Sequence, residues 1–231
     1  MQRPPATAIT DVEAWNDALA LENDGDDYYA RSSFLVRFVE QRRLACIHRM
    51  TSPAPRARIL EVGCGAGHVL RLFPELDLTA VDVSGEMLEK ARRNLRDYRV
   101  RYMKGELHEL GLPDASFDRI ICSEVLEHVV DPVGLLEQIR RLLRPGGRAV
   151  ITFPNDLLVR KLKRVTRLSG LTLLPSFGRI SWGADTYHLH VWRVFEMRAL
   201  LAGYFSIVQE QNVPYSWLPI RRCFQCEPDV R

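Results

Sequence analysis

At 231 residues the chain suits one domain with an added lid. Hydrophobic residues make up 46% of it, ordinary for a globular protein, and a net charge of +3 is too small to indicate a nucleic-acid partner. Five cysteines, an odd number, do not suggest a disulfide framework. The CxxC formed by Cys223 and Cys226 lacks the second pair that a zinc site needs, so it reads as incidental spacing. The first ten residues carry no apolar run, which argues against a signal peptide. No stretch approaches the ~18 apolar residues of a membrane span. The expected compartment is the cytoplasm.

In chain order, Thr10 and Glu13 fit a capping box for a short acidic helix. A second helix is predicted from Asp27 to Met50, with Phe34, Leu35, Phe38, Val39 and Ile47 at helical spacing, and Thr51 to Pro55 breaks it. Strands and helices then alternate. Ile59–Val62 is a strand followed by a helix from about Gly67, and Leu78–Asp82 is the second strand. Ser84 caps a helix over residues 85–95. Val100–Met103 and Phe117–Ser123 are the next strands. Residues 124–143 read as helical with a break at Asp131-Pro132. A turn at 145–147 leads into the strand 148–153.

This alternation predicts an α/β fold, a doubly wound and mostly parallel seven-stranded sheet of Rossmann-like type. Residues 1–55 form an N-terminal helical cap, 56–156 the core, 157–191 a lid insert, and 192–231 a helix over Val194–Leu201 with two strands. The insert carries six bases and one acid between Asp156 and Ser181. Leu158, Leu162, Val165 and Leu168 make an apolar stripe beside Arg160, Lys161, Lys163, Arg164 and Arg167. This pattern fits a solvated lid helix, peripheral contact with an anionic membrane through residues 157–170, or recognition of an anionic acceptor.

Gly63, Gly65 and Gly67 stand where the first strand ends, the ligand-binding end of such a sheet. The spacing is G-x-G-x-G. The dinucleotide fingerprint G-x-G-x-x-G would place its third glycine at His68, and the G-K-[ST] of a phosphate loop is absent. Asp82, nineteen positions after Gly63, can accept hydrogen bonds from both ribose hydroxyls. Glu61, just before the glycines, would repel a pyrophosphate but suits an ammonium or sulfonium. S-adenosylmethionine carries both cations and no phosphate.

The segments 59–70, 80–92, 112–132 and 142–155 resemble, in order and spacing, the successive motifs of class I S-adenosylmethionine-dependent methyltransferases. The nearest resemblance is to the small-molecule branch that includes ubiquinone-biosynthesis O-methyltransferases. The resemblance covers roughly residues 57–156. It implies that Glu61, Gly63, Cys64, Gly65 and Gly67 surround the methionine part of the cofactor, although packing is the simpler role for Cys64. It further implies that Asp82 holds the ribose, and that Val83 and Met87 lie near the adenine. Glu106 stands where the family often has Asp as acceptor for the adenine amino group, followed by Leu107. Ser123 would lie beside the methionine moiety.

Glu124, Glu127 and His128 stand at i, i+3 and i+4, a spacing that places them on one helix face. They suit a divalent cation such as magnesium, which some quinone O-methyltransferases use; alternatively His128 acts as base, or the three cap and pack the helix. No metal ligand is assigned. His188 and His190 alternate with apolar residues and can point one way, over an acceptor. Trp182, Tyr187 and Trp192 line an aromatic pocket or pack in the core. The expected activity is methyl transfer to a small-molecule acceptor, a hydroxyl of a phenol, quinone precursor, sugar or lipid-linked intermediate. Nucleic-acid or protein methylation and non-catalytic cofactor binding are the alternatives, and the sequence leaves the oligomeric state open.

Overall fold

The computed structural model describes residues 34–169 and 188–229. The capping box at Thr10 and the aromatics Trp182 and Tyr187 lie outside the described residues. The elements are α1 (Phe34–Thr51), β1 (Arg58–Val62), β2 (Asp77–Asp82), α2 (Gly85–Asn94), β3 (Val100–Lys104), β4 (Phe117–Ser123), α3 (Pro132–Leu142), β5 (Leu143–Pro154), α4 (Asp156–Leu168), α5 (Val194–Ala202), β6 (Phe205–Tyr215) and β7 (Leu218–Pro228). They form one seven-stranded sheet in the order β3-β2-β1-β4-β5-β7-β6. Neighbours from β3 through β5 are parallel, and β7 runs antiparallel to both β5 and β6.

The central strands are short apolar runs because both faces are covered. Leu60, Val62, Ile120, Ile151 and Phe153 pack on one side with Leu136, Ile139, Met197 and Phe205. Ile59, Leu78, Ile121 and Val150 pack on the other with Cys46, Ile47, Met50 and Leu88. Cys226 belongs to the first set and Cys223 to the second. The CxxC therefore straddles the sheet and cannot close on one ion.

Capping follows local chemistry. The Ser84 hydroxyl accepts from the Met87 N–H at 3.2 Å. Asp131 accepts from the Gly134 N–H, with Pro132 opening α3.

Four expectations need correction. After Gly67 there is only a 3-10 turn, Leu70–Leu72; Gly67 has φ +81°, outside the helical region, and Pro74 follows closely. Residues 124–131 are irregular, with one turn at 126–128, and not helix. Glu124 sits at φ +58°, and its N–H continues the sheet by donating to Thr152 at 3.1 Å. Glu124, Glu127 and His128 therefore do not share a helix face. The stretch 145–147 lies within β5, with the pairing register shifted opposite Phe117/Arg119. In α1 the buried stripe is Val36, Val39, Arg43, Cys46, Ile47 and Met50, while Phe34 and Leu35 are exposed.

Arg43 on that stripe belongs to a closed polar ring. It donates to Glu40 Oε2 at 2.8 Å and to the Ser123 hydroxyl. Ser123 shares a hydrogen bond of 2.9 Å with Thr152, and Thr152 donates to Glu124 Oε1 at 3.0 Å. Arg221 closes the circuit, ion-paired with Glu124 at 2.8 Å and with Glu40 at 3.6 Å. The ring joins α1, β4, β5 and β7. Removing one member of a desolvated ionic set strands its partners.

Arg221→Met is therefore expected to lower unfolding stability by at least about 2 kcal/mol. The half-exposed pair Arg148–Glu227 is the control, and Arg148→Met should cost under about 1 kcal/mol. Urea denaturation of both variants checks this, and equal losses would contradict it.

Candidate functional site

The glycine loop sits at the carboxyl ends of β1 and β4, where chain order reverses across the sheet. Gly63, Gly65 and Gly67 all have positive φ, at +67°, +50° and +81°. A Cβ on Gly63 would lie 2.5 Å from Val125, and one on Gly67 2.7 Å from Leu95, whereas one on Gly65 meets nothing within 4 Å. The outer two glycines thus allow close packing, and the middle one borders open space. Asp82 fixes the loop: Oδ2 accepts from the Gly65 N–H at 2.8 Å and Oδ1 from the Ser84 N–H at 3.0 Å.

Glu61 is 2% exposed, and its Oε2 has no hydrogen-bond partner. Burial holds its carboxyl well above the usual carboxylate range, Asp82 adds to that, and Arg43 opposes it. Burial, with Asp82 and Glu61 nearby, also pushes up the Cys64 thiol, which suits packing rather than nucleophilic attack.

Val83 and Met87 are half-buried beyond β2, and Leu107 is buried after β3. Glu106 is exposed, with Oε2 3.3 Å from His108 Nδ1. Ser123 is buried in the polar ring.

The acidic and histidine groups divide into two. Glu124 is committed to Arg221 and Thr152. Glu127 is buried, and desolvation, with Glu124 next in effect, holds its carboxyl well above the usual range. Its neighbours are His128 and His188, the three offering ligand atoms within 4.8 Å of one another. The Glu124–Glu127–His128 set therefore does not fit a shared cation, because ring contacts occupy the Glu124 carboxylate. His190 bonds the Val129 carbonyl through Nε2 at 3.0 Å and stacks on Trp192, which packs against the core.

Arg43 and Asp156 escaped the sequence reading. Arg43 had a usable signal, a charge on the apolar stripe of α1. Asp156 resembles an ordinary acid in a helix's first turn, which carries no such signal. Along α4, Val159 packs against Val39 and Ile220, while Arg160, Lys161, Arg164, Val165 and Leu168 are exposed. Among the described residues no helix is long and apolar enough to cross a membrane.

Residues 60–151 match the family described as methyltransferase domain. A ubiquinone biosynthesis O-methyltransferase of Xylella fastidiosa is 35% identical over 114 residues, 46% of this chain and 45% of that protein. The chain spans less than half the length of the curated relatives it matches. Magnesium protoporphyrin IX methyltransferase of Synechocystis, solved with bound SAH, is similar with a TM-score of 0.67 at 17% identity, covering 94% of this chain and 98% of that one. The N-methyltransferase NodS of Bradyrhizobium japonicum, in complex with S-adenosylhomocysteine, is similar with a TM-score of 0.58 at 20% identity, over 82% of this chain and 87% of that one. Residues 60–151 are thus similar in sequence to a methyltransferase domain, and the fold of the chain is the one seen in these solved methyltransferases.

The glycines separate folding from binding. Gly67→Ala should cost about 2–4 kcal/mol through left-handed strain and overpacking. Gly65→Ala should cost about 1–2 kcal/mol yet weaken S-adenosylhomocysteine binding, because its methyl enters the open space. Thermal melts alongside calorimetric titration test this; an unchanged affinity in Gly65→Ala would refute the assignment.

Proposed function

We propose that the chain transfers the methyl group of S-adenosylmethionine to a hydroxyl of a small-molecule acceptor, such as a phenol, quinone precursor, sugar or lipid-linked intermediate. The observation that carries this reading is the buried Glu61 carboxyl, with Oε2 unpartnered, in the strand that leads into the glycine loop. A diphosphate would meet Glu61 and Asp82 together, whereas a cationic nucleoside finds two partners there. The residues fit that ligand. Asp82 is an acceptor for the ribose hydroxyls at the end of β2, Glu61 suits an ammonium group, Arg43 offers a cation to a carboxylate, and Val83, Met87 and Leu107 give apolar cover to an adenine.

When bound, S-adenosylmethionine supplies a methyl group already activated on sulfonium. The protein's own work is alignment, which can contribute several kcal/mol to the barrier, and loss of the acceptor proton, which general-base help accelerates by about 10²–10⁴-fold. The cluster of Glu127, His128 and His188 beyond β4 is where that proton leaves. His190, bonded to the Val129 carbonyl, positions the segment.

Incubation with S-adenosylmethionine and panels of phenols, sugars, RNA and peptides should release S-adenosylhomocysteine with a hydroxylated small molecule. Asp82→Ala should weaken cofactor affinity roughly 100-fold or more, as expected for loss of charged hydrogen bonds. Tighter binding of NAD than of S-adenosylhomocysteine would overturn the reading.

Glu61 also sets a pH response. Its raised carboxyl holds its proton to higher pH than an ordinary carboxylate, while a bound ammonium favours the carboxylate. Binding therefore expels a proton, and affinity rises with pH until Glu61 is ionised in the free protein. Calorimetry in buffers of different ionisation enthalpy should detect the proton, and Glu61→Gln should abolish it. The same proton release from Glu61→Gln would place its source elsewhere.

A further inference from the structure

His188 completes a cluster that residues 124–128 do not form alone. Its Nδ1 lies 2.7 Å from Asp156 Oδ2, and Asp156 is 3% exposed in the first turn of α4. The His188 ring meets His128 edge to face, with centroids 4.9 Å apart. The Leu189 and His190 N–H groups both donate to the Glu127 carbonyl, at 2.7 and 3.1 Å. That double tie holds the segment against the loop between β4 and α3. Glu127 is 1% exposed, and neither carboxylate oxygen has a hydrogen-bond partner. A buried carboxyl without partners is costly in its charged form unless a cation meets it.

We propose that Glu127, His128 and His188 bind one divalent cation of the borderline class, zinc, cobalt(II) or nickel(II), with Asp156 fixing the His188 tautomer. Two imidazoles and one carboxylate are the donor set of catalytic zinc sites, which keep a further position open. Magnesium and calcium favour all-oxygen surroundings, so this set disfavours them. Asp156 on Nδ1 leaves Nε2 as the nitrogen that ligates, the outer carboxylate–histidine arrangement common at such centres. Ligand atoms within 4.8 Å of one another need to close by up to about 1.5 Å to surround zinc at its bonding distances, a movement within the reach of side-chain rotation. Both imidazoles are half-buried, so an acceptor can approach the side that Glu127 does not cover. The cation's charge would favour the ionised acceptor hydroxyl. That role rests on the methyl-transfer reading; the binding does not.

The test uses the full chain, stripped with chelator and titrated with cobalt(II) in the presence of S-adenosylhomocysteine. The expected result is a single equivalent bound, with visible absorption of the low-coordinate type that zinc abolishes. His188→Ala and Glu127→Gln should lose that absorption while still binding S-adenosylhomocysteine in calorimetry, which shows that they fold. Asp156→Asn should weaken cobalt affinity about 10–100-fold. Failure of the unaltered chain to take up cobalt or zinc would overturn the proposal, as would displacement by magnesium or unchanged uptake by His188→Ala. Because the readout needs no turnover, loss of the cation site and loss of the methyl-transfer reading are told apart.

Discussion

The ring of Glu40, Arg43, Ser123, Thr152, Glu124 and Arg221 is the constraint on which the candidate site depends. These groups lose water when α1 closes over the strand ends, and their mutual contacts offset that loss. Because members come from α1, β4, β5 and β7, the helix can seat in one register only. That register brings the Arg43 cation close enough to Glu61 to oppose the rise in its carboxyl. It also draws the Glu124 carboxylate toward Arg221, leaving Glu127 with the two imidazoles. One polar circuit therefore separates the glycine-loop side, with Glu61, from an acid–histidine side, although Glu124 and Glu127 are only three residues apart.

Rigid strand ends support both sides. Asp82 uses its two oxygens to hold the backbone at Gly65 and Ser84, so the carboxylate is oriented before any ligand arrives. Gly63 and Gly67 lock the same loop by contact with Val125 and Leu95. Such prior ordering lowers the entropy lost on binding.

The sheet was legible because its central strands are short apolar runs ended by turn residues. Phe117–Ser123 was read with its observed bounds, and the Ser84 cap has the expected geometry. The stretch 124–131 misled because Val125, Leu126, Val129 and Val130 imitate helical spacing. Tertiary context overrides it: Glu124 takes a left-handed conformation, and its N–H joins the sheet. The glycine loop and Asp82 follow from local pattern and strand position. The pairing of His188 with Asp156 does not, since 32 positions separate them and neither residue's neighbours mark it. Arg43 was in principle visible as a charge out of place on an apolar stripe.

The anchoring of residues 189 and 190 on a single carbonyl, that of Glu127, has a wider consequence. Both anchors are backbone donors, which almost any side chains at positions 189 and 190 would leave intact. The imidazole of His188 is thus delivered by main-chain contacts next to it and not by the identity of its immediate neighbours.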